Sequence, residues 1–404
     1  MAHLEALLAE IDRQATVLAG EVVRLRRDFH RHPELSHEEE RTARVAADYL
    51  AGLGLTVTTG IAGHGVMGVL KGGRPGRAVA YRADMDALPL EEGVESAWRS
   101  RAPGVMHACG HDLHLSIALG AARLLSGMRE RLAGEIRFLC QPAEEGPPRG
   151  NASGARGMVA AGVLNGPPAA AVIGLHVAPQ LDVGQVRYCP EVVMAGSDHL
   201  VLTIQGKAAH GATPHRGVDA IAASAQVLAQ VQAVLLHEVD ARHPVVLTFG
   251  KIEGGARFNI LADRVVLEGS LRFLDERVRQ KVLRSLKRRL AGLSQALEVE
   301  LDLATTDIYP ILKNDPALAE RAAAVLTRVL GARHVQAHQP AMGSEDFSYF
   351  AAKAPAFYFF LGVRTPGAKG EPLHSPLFNP DEAALPVGLK ASASLLAVLA
   401  EENS

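Results

Sequence analysis

Apolar residues recur at helical spacing through the start of the chain. Leu4, Leu7, Leu8, Ile11, Ala15 and Leu18 make one stripe, which predicts an amphipathic helix over residues 1–30. A second helix is predicted from near Ser36, where Ser36 and Glu39 have the spacing of a capping box and Gly52 and Gly54 close the segment. Short β-type runs follow at Leu55–Thr59, Val66–Lys71 and Ala78–Arg82, the last two separated by the turn Gly72-Gly73-Arg74-Pro75-Gly76. A helix over His111–Leu125 and two apolar strands, Glu135–Cys140 and Ala171–Val177, continue the alternation. Strands alternating with helices predict an α/β layer fold with helices on both faces of the sheet.

The pattern changes near residue 187. His199–Gly206 reads as a strand, Val218–His237 as a helix, Val245–Lys251 and Arg264–Phe273 as strands, Glu276–Leu293 as a helix and Glu298–Ala304 as a strand. That order is βαββαβ, the ferredoxin-like unit. A domain inserted at 187–304 between 1–186 and 305–404 is therefore expected. The last part returns to α/β character, with a helix over Pro316–Leu330, an apolar strand over Ala356–Leu361 and a final helix over Glu382–Leu399.

Length agrees with two domains, since 404 residues exceed one small module. Hydrophobic residues at 48% and charged residues at 21% are enough to fill a core. A net charge of −2, from 42 basic and 44 acidic residues, argues against a nucleic-acid binder. No uninterrupted apolar run reaches the roughly 18 residues of a membrane span. The opening Met1-Ala2-His3-Leu4-Glu5 lacks the basic-then-apolar order of a secretory signal. Cys109, Cys140 and Cys189 are an odd number in a long chain, so a reducing cytoplasm without a disulfide framework is expected. No His-Glu-x-x-His, Gly-x-Ser-x-Gly, Walker loop or Cys-x-x-Cys is present.

The chemistry concentrates at a few places. His107-Ala108-Cys109-Gly110-His111-Asp112-Leu113-His114 packs thiol, imidazole and carboxylate donors ahead of an apolar helix, and such donors suit a divalent transition metal. Gln141-Pro142-Ala143-Glu144-Glu145-Gly146 directly follows an apolar strand, where α/β sheets place their sites. One of two adjacent carboxylates can bind a metal while its neighbour serves as general base. His176 in Gly174-Leu175-His176-Val177 and His374 in Leu373-His374-Ser375-Pro376 each read, taken alone, as a core and a surface histidine. Asp84, in Arg82-Ala83-Asp84-Met85-Asp86-Ala87-Leu88-Pro89, stands at another strand end and can hydrogen-bond a ligand imidazole. In the inserted segment His210 lies in a Gly/Pro loop, and Asn259 and Arg272 are a pair able to grip a carboxylate, though an Arg on a strand is more often a solvated edge.

Taken together and in order, Arg-x-Asp-x-Asp-Ala-Leu-Pro, His-Ala-Cys-Gly-His-Asp, Gln-Pro-Ala-Glu-Glu-Gly, Gly-Leu-His and Leu-His-Ser-Pro resemble the amidohydrolase branch of the M20 metallopeptidases, which includes hippurate, N-acyl-amino-acid and indole-acetyl-amino-acid hydrolases. The resemblance runs from about Leu25 to Leu399. It implies a zinc-peptidase-type three-layer α/β catalytic domain carrying the ferredoxin-like insert as a lid and dimerisation domain. It also implies two divalent metal ions per subunit, as zinc, manganese, cobalt or nickel, held by Cys109, His111, Glu145, His176 and His374 with Cys109 as the bridge. By the same resemblance Glu144 is the general base that activates water at the metals, and Asp84 orients a ligand from behind. His210 reaches the neighbouring subunit's site to hold the developing oxyanion, and Asn259 and Arg272 bind the substrate carboxylate. The implied reaction is hydrolysis of an N-acyl amino acid, in a cytoplasmic homodimer or larger assembly with no nucleic-acid or membrane partner. A dipeptidase or carboxypeptidase, an N-acetyl-diamino acid deacetylase and a non-catalytic metal-binding protein are the alternatives. Two departures stand out. Arg82 occupies a position where many members of the family have a metal-binding histidine, a change that the amidohydrolase branch shares. Asn259 is followed by Ile260-Leu261-Ala262, where relatives often have a proline.

Overall fold

The structure is a computed structural model, and it describes residues 2–146 and 153–401. Its internal contacts divide the chain into two compact units. The first comprises Met1–Val193, Lys313–Gln339 and Asp346–Ser404, and the second comprises Met194–Leu312 and Pro340–Glu345. The second unit thus starts and ends a few residues later than the expected 187–304 and takes in a short later segment.

The first unit is built on an eight-stranded mixed sheet. Its spatial order is Thr56–Ile61, Gly65–Lys71, Ala133–Gln141, Arg74–Asp84, Ala169–Asp182, Ala356–Arg364, Val186–Tyr188 and Val335–Ala337. The middle four strands run parallel, with Arg82 opposite both Leu139 and Gly174, and Phe360 opposite His176. Parallel strands are covered on both faces, so they read as continuous apolar runs. Ala169–Asp182 is accordingly buried over most of its length.

Helices Ala2–Arg31, His111–Ser126 and Ala384–Leu399 pack on one another. The middle one is apolar around nearly its whole circumference and is almost entirely buried, as expected for a helix with no solvent face. In the first helix Leu7, Leu8, Ile11 and Ala15 supply the buried stripe. The predicted second helix runs over Glu40–Gly52, but Ser36 and Glu39 do not cap it. The Ser36 hydroxyl donates to Asp86 at 2.7 Å, and the Glu39 carboxylate accepts the Ala143 N–H at 2.7 Å. Tertiary partners have taken both side chains from the local motif. Helix Gly154–Ala160 and the three-residue strands Val186–Tyr188 and Val335–Ala337 were not predicted.

The second unit has the chain order βαββαβ: Gly196–Gln205, Ala220–Glu238, Val245–Gly254, Arg264–Phe273, Glu276–Leu297 and Glu300–Tyr309. Its four strands form one antiparallel sheet in the order Glu300–Tyr309, Gly196–Gln205, Arg264–Phe273, Val245–Gly254. Asp219 and Asp275 cap the two helices through their side chains. Helix Ala220–Glu238 is long and apolar enough to cross a membrane by length and composition alone. Here it buries Ala223, Val227, Val231 and Val234 within the unit.

Candidate metal centre

Parallel strands deliver their C-terminal ends to one edge of the sheet, and here three neighbours do so. Asp84 ends one strand directly opposite Gln141, which ends the next and leads into Glu144 and Glu145. His176 lies on the third. Cys109 and His111 flank Gly110, the residue that starts helix His111–Ser126 in a left-handed conformation at φ 86°. A Cβ on Gly110 would lie 2.4 Å from Val177 Cγ2, so only glycine turns the chain this tightly between the two donors. His374 is itself left-handed, at φ 61°, and its backbone N–H is tied to the Ala108 carbonyl at 2.9 Å. A non-glycine residue in that region stores strain, which the surroundings must hold in place.

These folds bring five side chains together. His374 Nε2 lies 3.3 Å from Cys109 Sγ, and His176 Nε2 lies 3.5 Å from it. Glu145 Oε1 is 3.4 Å from His374 Nε2 and 3.7 Å from His111 Nε2. Two sets of donor atoms close enough to hold a cation share Cys109: one with His111 and His176, the other with Glu145 and His374. Glu144 stands beside them, its Oε2 3.9 Å from His111 Nε2. The other ring nitrogen of both His111 and His176 is already occupied. His111 Nδ1 donates to the Asp86 carbonyl at 2.8 Å and His176 Nδ1 to the Val177 carbonyl at 2.8 Å, which leaves both Nε2 atoms for the cluster.

The charges show what the cluster is built to hold. Among the described residues, His111 Nε2 and Glu145 Oε1 are buried without a hydrogen-bond partner. Burial alone would lower the His111 pKa, but Asp84, Asp86 and Glu145 outweigh it and raise it to about 10. Burial, then Glu145 and Glu144, hold the Cys109 thiol well above its ordinary range. The Glu145 carboxylate, 3.4 Å from its Nε2, raises His374. A concentration of carboxylates with orphaned donor atoms and a thiol that needs a positive neighbour to ionise is the environment that divalent cations fit.

Several residues sit differently from expectation. Asp84 does not hold a predicted ligand through its outer nitrogen. Its Oδ1 accepts from His114 Nδ1 at 2.6 Å, and its Oδ2 pairs with Arg82 at 2.6 Å. His114 Nε2 in turn accepts the Val177 N–H at 2.9 Å, so both nitrogens of His114 are engaged and it braces the strand next to His176. Asp86, which the sequence reading did not single out, is the carboxylate behind His111, with Oδ1 3.3 Å from its Nδ1. Only its place two residues after Asp84 hinted at this. Arg82 also reaches Gln141 Oε1 at 2.7 Å and Asp346 Oδ1 at 2.8 Å, so a fully buried guanidinium ties the strand ends together. His107 is buried with neither ring nitrogen bonded among the described residues, and burial pushes it down to about 4.

In the second unit, His210 is exposed and bridged to Ile260, and Gly211 N–H donates to the Asn259 carbonyl at 2.9 Å. His210 and Asn259 are therefore neighbours. Arg272 is not with them. It pairs across the sheet with Ser197, whereas Arg264, the first residue after the Asn259 loop on that strand, pairs with Gln205 at the other end. The eight-residue separation along a strand is roughly 27 Å. Arg272 Nη1 donates instead to the Met342 carbonyl at 3.1 Å and Ser344 Oγ at 3.2 Å. Within one chain, then, Asn259 and Arg272 do not form a single carboxylate grip.

A cysteine-centred double cluster with a second acid alongside defines a metal-dependent hydrolase. Residues 80–398 match peptidase family M20/M25/M40, and the chain belongs to that family. It is 36% identical over 378 residues to "Thermostable carboxypeptidase 2" of Saccharolobus solfataricus, covering 93% of this chain and 94% of that protein. It is 33% identical over 381 residues to "N-acetylcysteine deacetylase" of Bacillus subtilis, covering 94% and 97%. Among solved structures it is similar to the Bacillus subtilis YXEP protein, described as a dinuclear metal binding peptidase from the M20 family. The TM-score is 0.82 at 30% identity, with 95% of this chain and 99% of that one covered. The chain is thus a metal-dependent hydrolase whose cofactor is a pair of divalent metal ions.

Proposed function

We propose that this enzyme hydrolyses the amide bond of N-acyl amino acids, giving a carboxylic acid and a free amino acid, with Glu144 as general base. The observation that carries this reading is the Glu144–Glu145 pair at the end of a buried strand: both carboxylates lie near His111, and only Glu145 also lies with Cys109 and His374. A protein that only stored metal would need no second acid there. Cys109, His111, Glu145, His176 and His374 would hold the cations, which when bound acidify water and polarise the scissile carbonyl. Glu144 takes the proton from the attacking water and delivers it to the departing amine nitrogen. His210 donates to the oxygen on which negative charge develops. Asn259 and Arg272 select a free carboxylate on the amino-acid side.

The distance between Arg272 and the His210–Asn259 pair supports a homodimer formed through the second unit. In it one subunit's Arg272 works with its neighbour's His210 and Asn259, and the second unit acts as lid. Asp84 acts through His114 on the strand that carries His176. All three cysteines are free and buried, which suits a reducing cytoplasm, where a ligand thiol survives.

Glu144→Gln tests the base. It should keep two metals per chain and lose about 10²–10⁴-fold in kcat, the usual range for a general base. Activity above a few per cent would remove Glu144 from that role. A panel of N-acetyl and N-benzoyl amino acids, N-acetyl-diamino acids and dipeptides tests the substrate class. Higher kcat/KM on dipeptides would favour the carboxypeptidase reading that the Saccharolobus relative's name suggests.

A further inference from the structure

The turn that carries Glu144 is held at both shoulders by buried carboxylates from distant parts of the chain. Glu39 Oε1 accepts the Ala143 N–H at 2.7 Å, and Asp86 Oδ2 accepts the Glu145 N–H at 2.9 Å. Ser36 fixes Asp86 by donating to the same Oδ2. Glu39 and Asp86 are 0% and 1% exposed. Ala143 needs such a hold, because its φ of 49° lies in the left-handed region that a residue with a Cβ resists.

Besides the Ala143 amide, Glu39 has only the local amides of His37 and Glu39 itself near its carboxylate. It occupies the position before helix Glu40–Gly52, yet its side chain makes no capping bond there. Its Oε2 is buried without a hydrogen-bond partner among the described residues. Among the described residues it belongs to none of the groups that could hold a metal. A buried carboxyl with one oxygen unsatisfied is costly, and the one contact it makes outside its own segment is the Ala143 amide at 2.7 Å.

We propose that Glu39 is a positioning residue for Glu144: it pins the Ala143 amide, fixes the turn, and presents the Glu144 carboxylate to substrate in one orientation, while Asp86 pins the Glu145 amide on the other side. The inference rests on the reading of Glu144 as the base. Burial, with Asp86 nearby, pushes the Glu39 carboxyl up to about 7. A neutral side chain with a carbonyl oxygen can therefore stand in for it, and glutamine is the matching conservative variant.

The test compares Glu39→Met, Glu39→Gln and Glu144→Gln as two-metal holoenzymes. Misplacing a catalytic group by about 1 Å can cost about 10²-fold. Glu39→Met should lower kcat by that order, with KM within threefold of wild type and two metals still bound. Glu39→Gln should keep at least a third of the wild-type kcat. Hydrogen–deuterium exchange over residues 139–146 should quicken in the Met variant and not in the Gln variant. If the Met variant does not fold, Glu39→Ala replaces it with the same expectations. A Met or Ala variant within threefold of wild-type kcat, while Glu144→Gln is inactive, overturns the positioning role and leaves the base reading intact. A Gln variant as slow as Met, or a loss of kcat that only follows lost metal, overturns it too. An active Glu144→Gln enzyme overturns the base reading itself, and this inference with it.

Discussion

Arg82→Met should be among the most damaging single changes to the first unit. The guanidinium is buried, and its contacts include 2.6 Å to Asp84, 2.8 Å to Asp346 and 2.7 Å to Gln141. Methionine fills much of the volume but leaves two buried carboxylates without their cation. Removing one partner of a buried ion pair typically costs about 3–5 kcal/mol. The two losses should not add fully, because Asp84 keeps His114, and Asp346 keeps Gln141 and the Ala155 N–H. A loss of about 4 kcal/mol is therefore expected, against a typical total stability of about 5–15 kcal/mol. The only tryptophan, Trp98, lies in the first unit, so its fluorescence during urea unfolding reports on that unit. Adding Asp346→Asn to Arg82→Met should recover part of the loss, since one stranded charge is removed, and a double-mutant cycle reads the coupling. Acid should shrink the difference. Burial raises the Asp84 pKa, but His111, Arg82 and His114 outweigh it and hold it well below its ordinary value. Its stabilising charge is thus present above the unfolded-state value and fades as pH falls through the folded one. A loss under about 1 kcal/mol at pH 7 would refute the claim that these carboxylates carry buried charge.

Metal uptake should release protons. In the metal-free protein His111 is raised to about 10 and the Cys109 thiol is held protonated, so both give up a proton when a cation binds. Metal affinity should rise about a hundredfold per pH unit between pH 6 and 8, and calorimetry in buffers of different ionisation enthalpy should count about two protons; a flat profile contradicts this. By the same sign, His111 stabilises the metal-free fold most below its unfolded value, and that contribution is lost as pH rises towards about 10. Gly110→Ala should fold poorly or lose metal, because the new Cβ meets Val177 at 2.4 Å in a left-handed turn; two metals at wild-type affinity in that variant would refute the role given to the turn.

Long, strongly patterned elements were legible because their burial is written in their periodicity. Helix Pro316–Leu330 and strand Arg264–Phe273 have the limits that their apolar spacing predicts. Strands Val186–Tyr188 and Val335–Ala337 are too short to show any alternation, and they exist because of their neighbours in the sheet. Cys109, His111 and the Glu144–Glu145 pair stood out beside apolar segments, whereas His176 and His374 read as ordinary histidines taken alone and joined the set only through the family resemblance. What lay hidden were long-range partners. Ser36 and Glu39 have the spacing of a local cap, yet Asp86 and Ala143 claim them from far along the chain. Asp84 and Asp86 differ by two positions, and only the sheet's geometry assigns one to His114 and the other to His111. Asn259 and Arg272 looked like partners in sequence, whereas the antiparallel sheet holds them far apart.

Anomalous diffraction from crystals of the metal-loaded enzyme, recorded at the absorption edge of the added ion, examines the centre most directly. Two peaks per chain should stand among Cys109, His111, Glu145, His176 and His374, with the cysteine sulfur between them. A single peak, or peaks away from these five side chains, would contradict the two-cation centre described here.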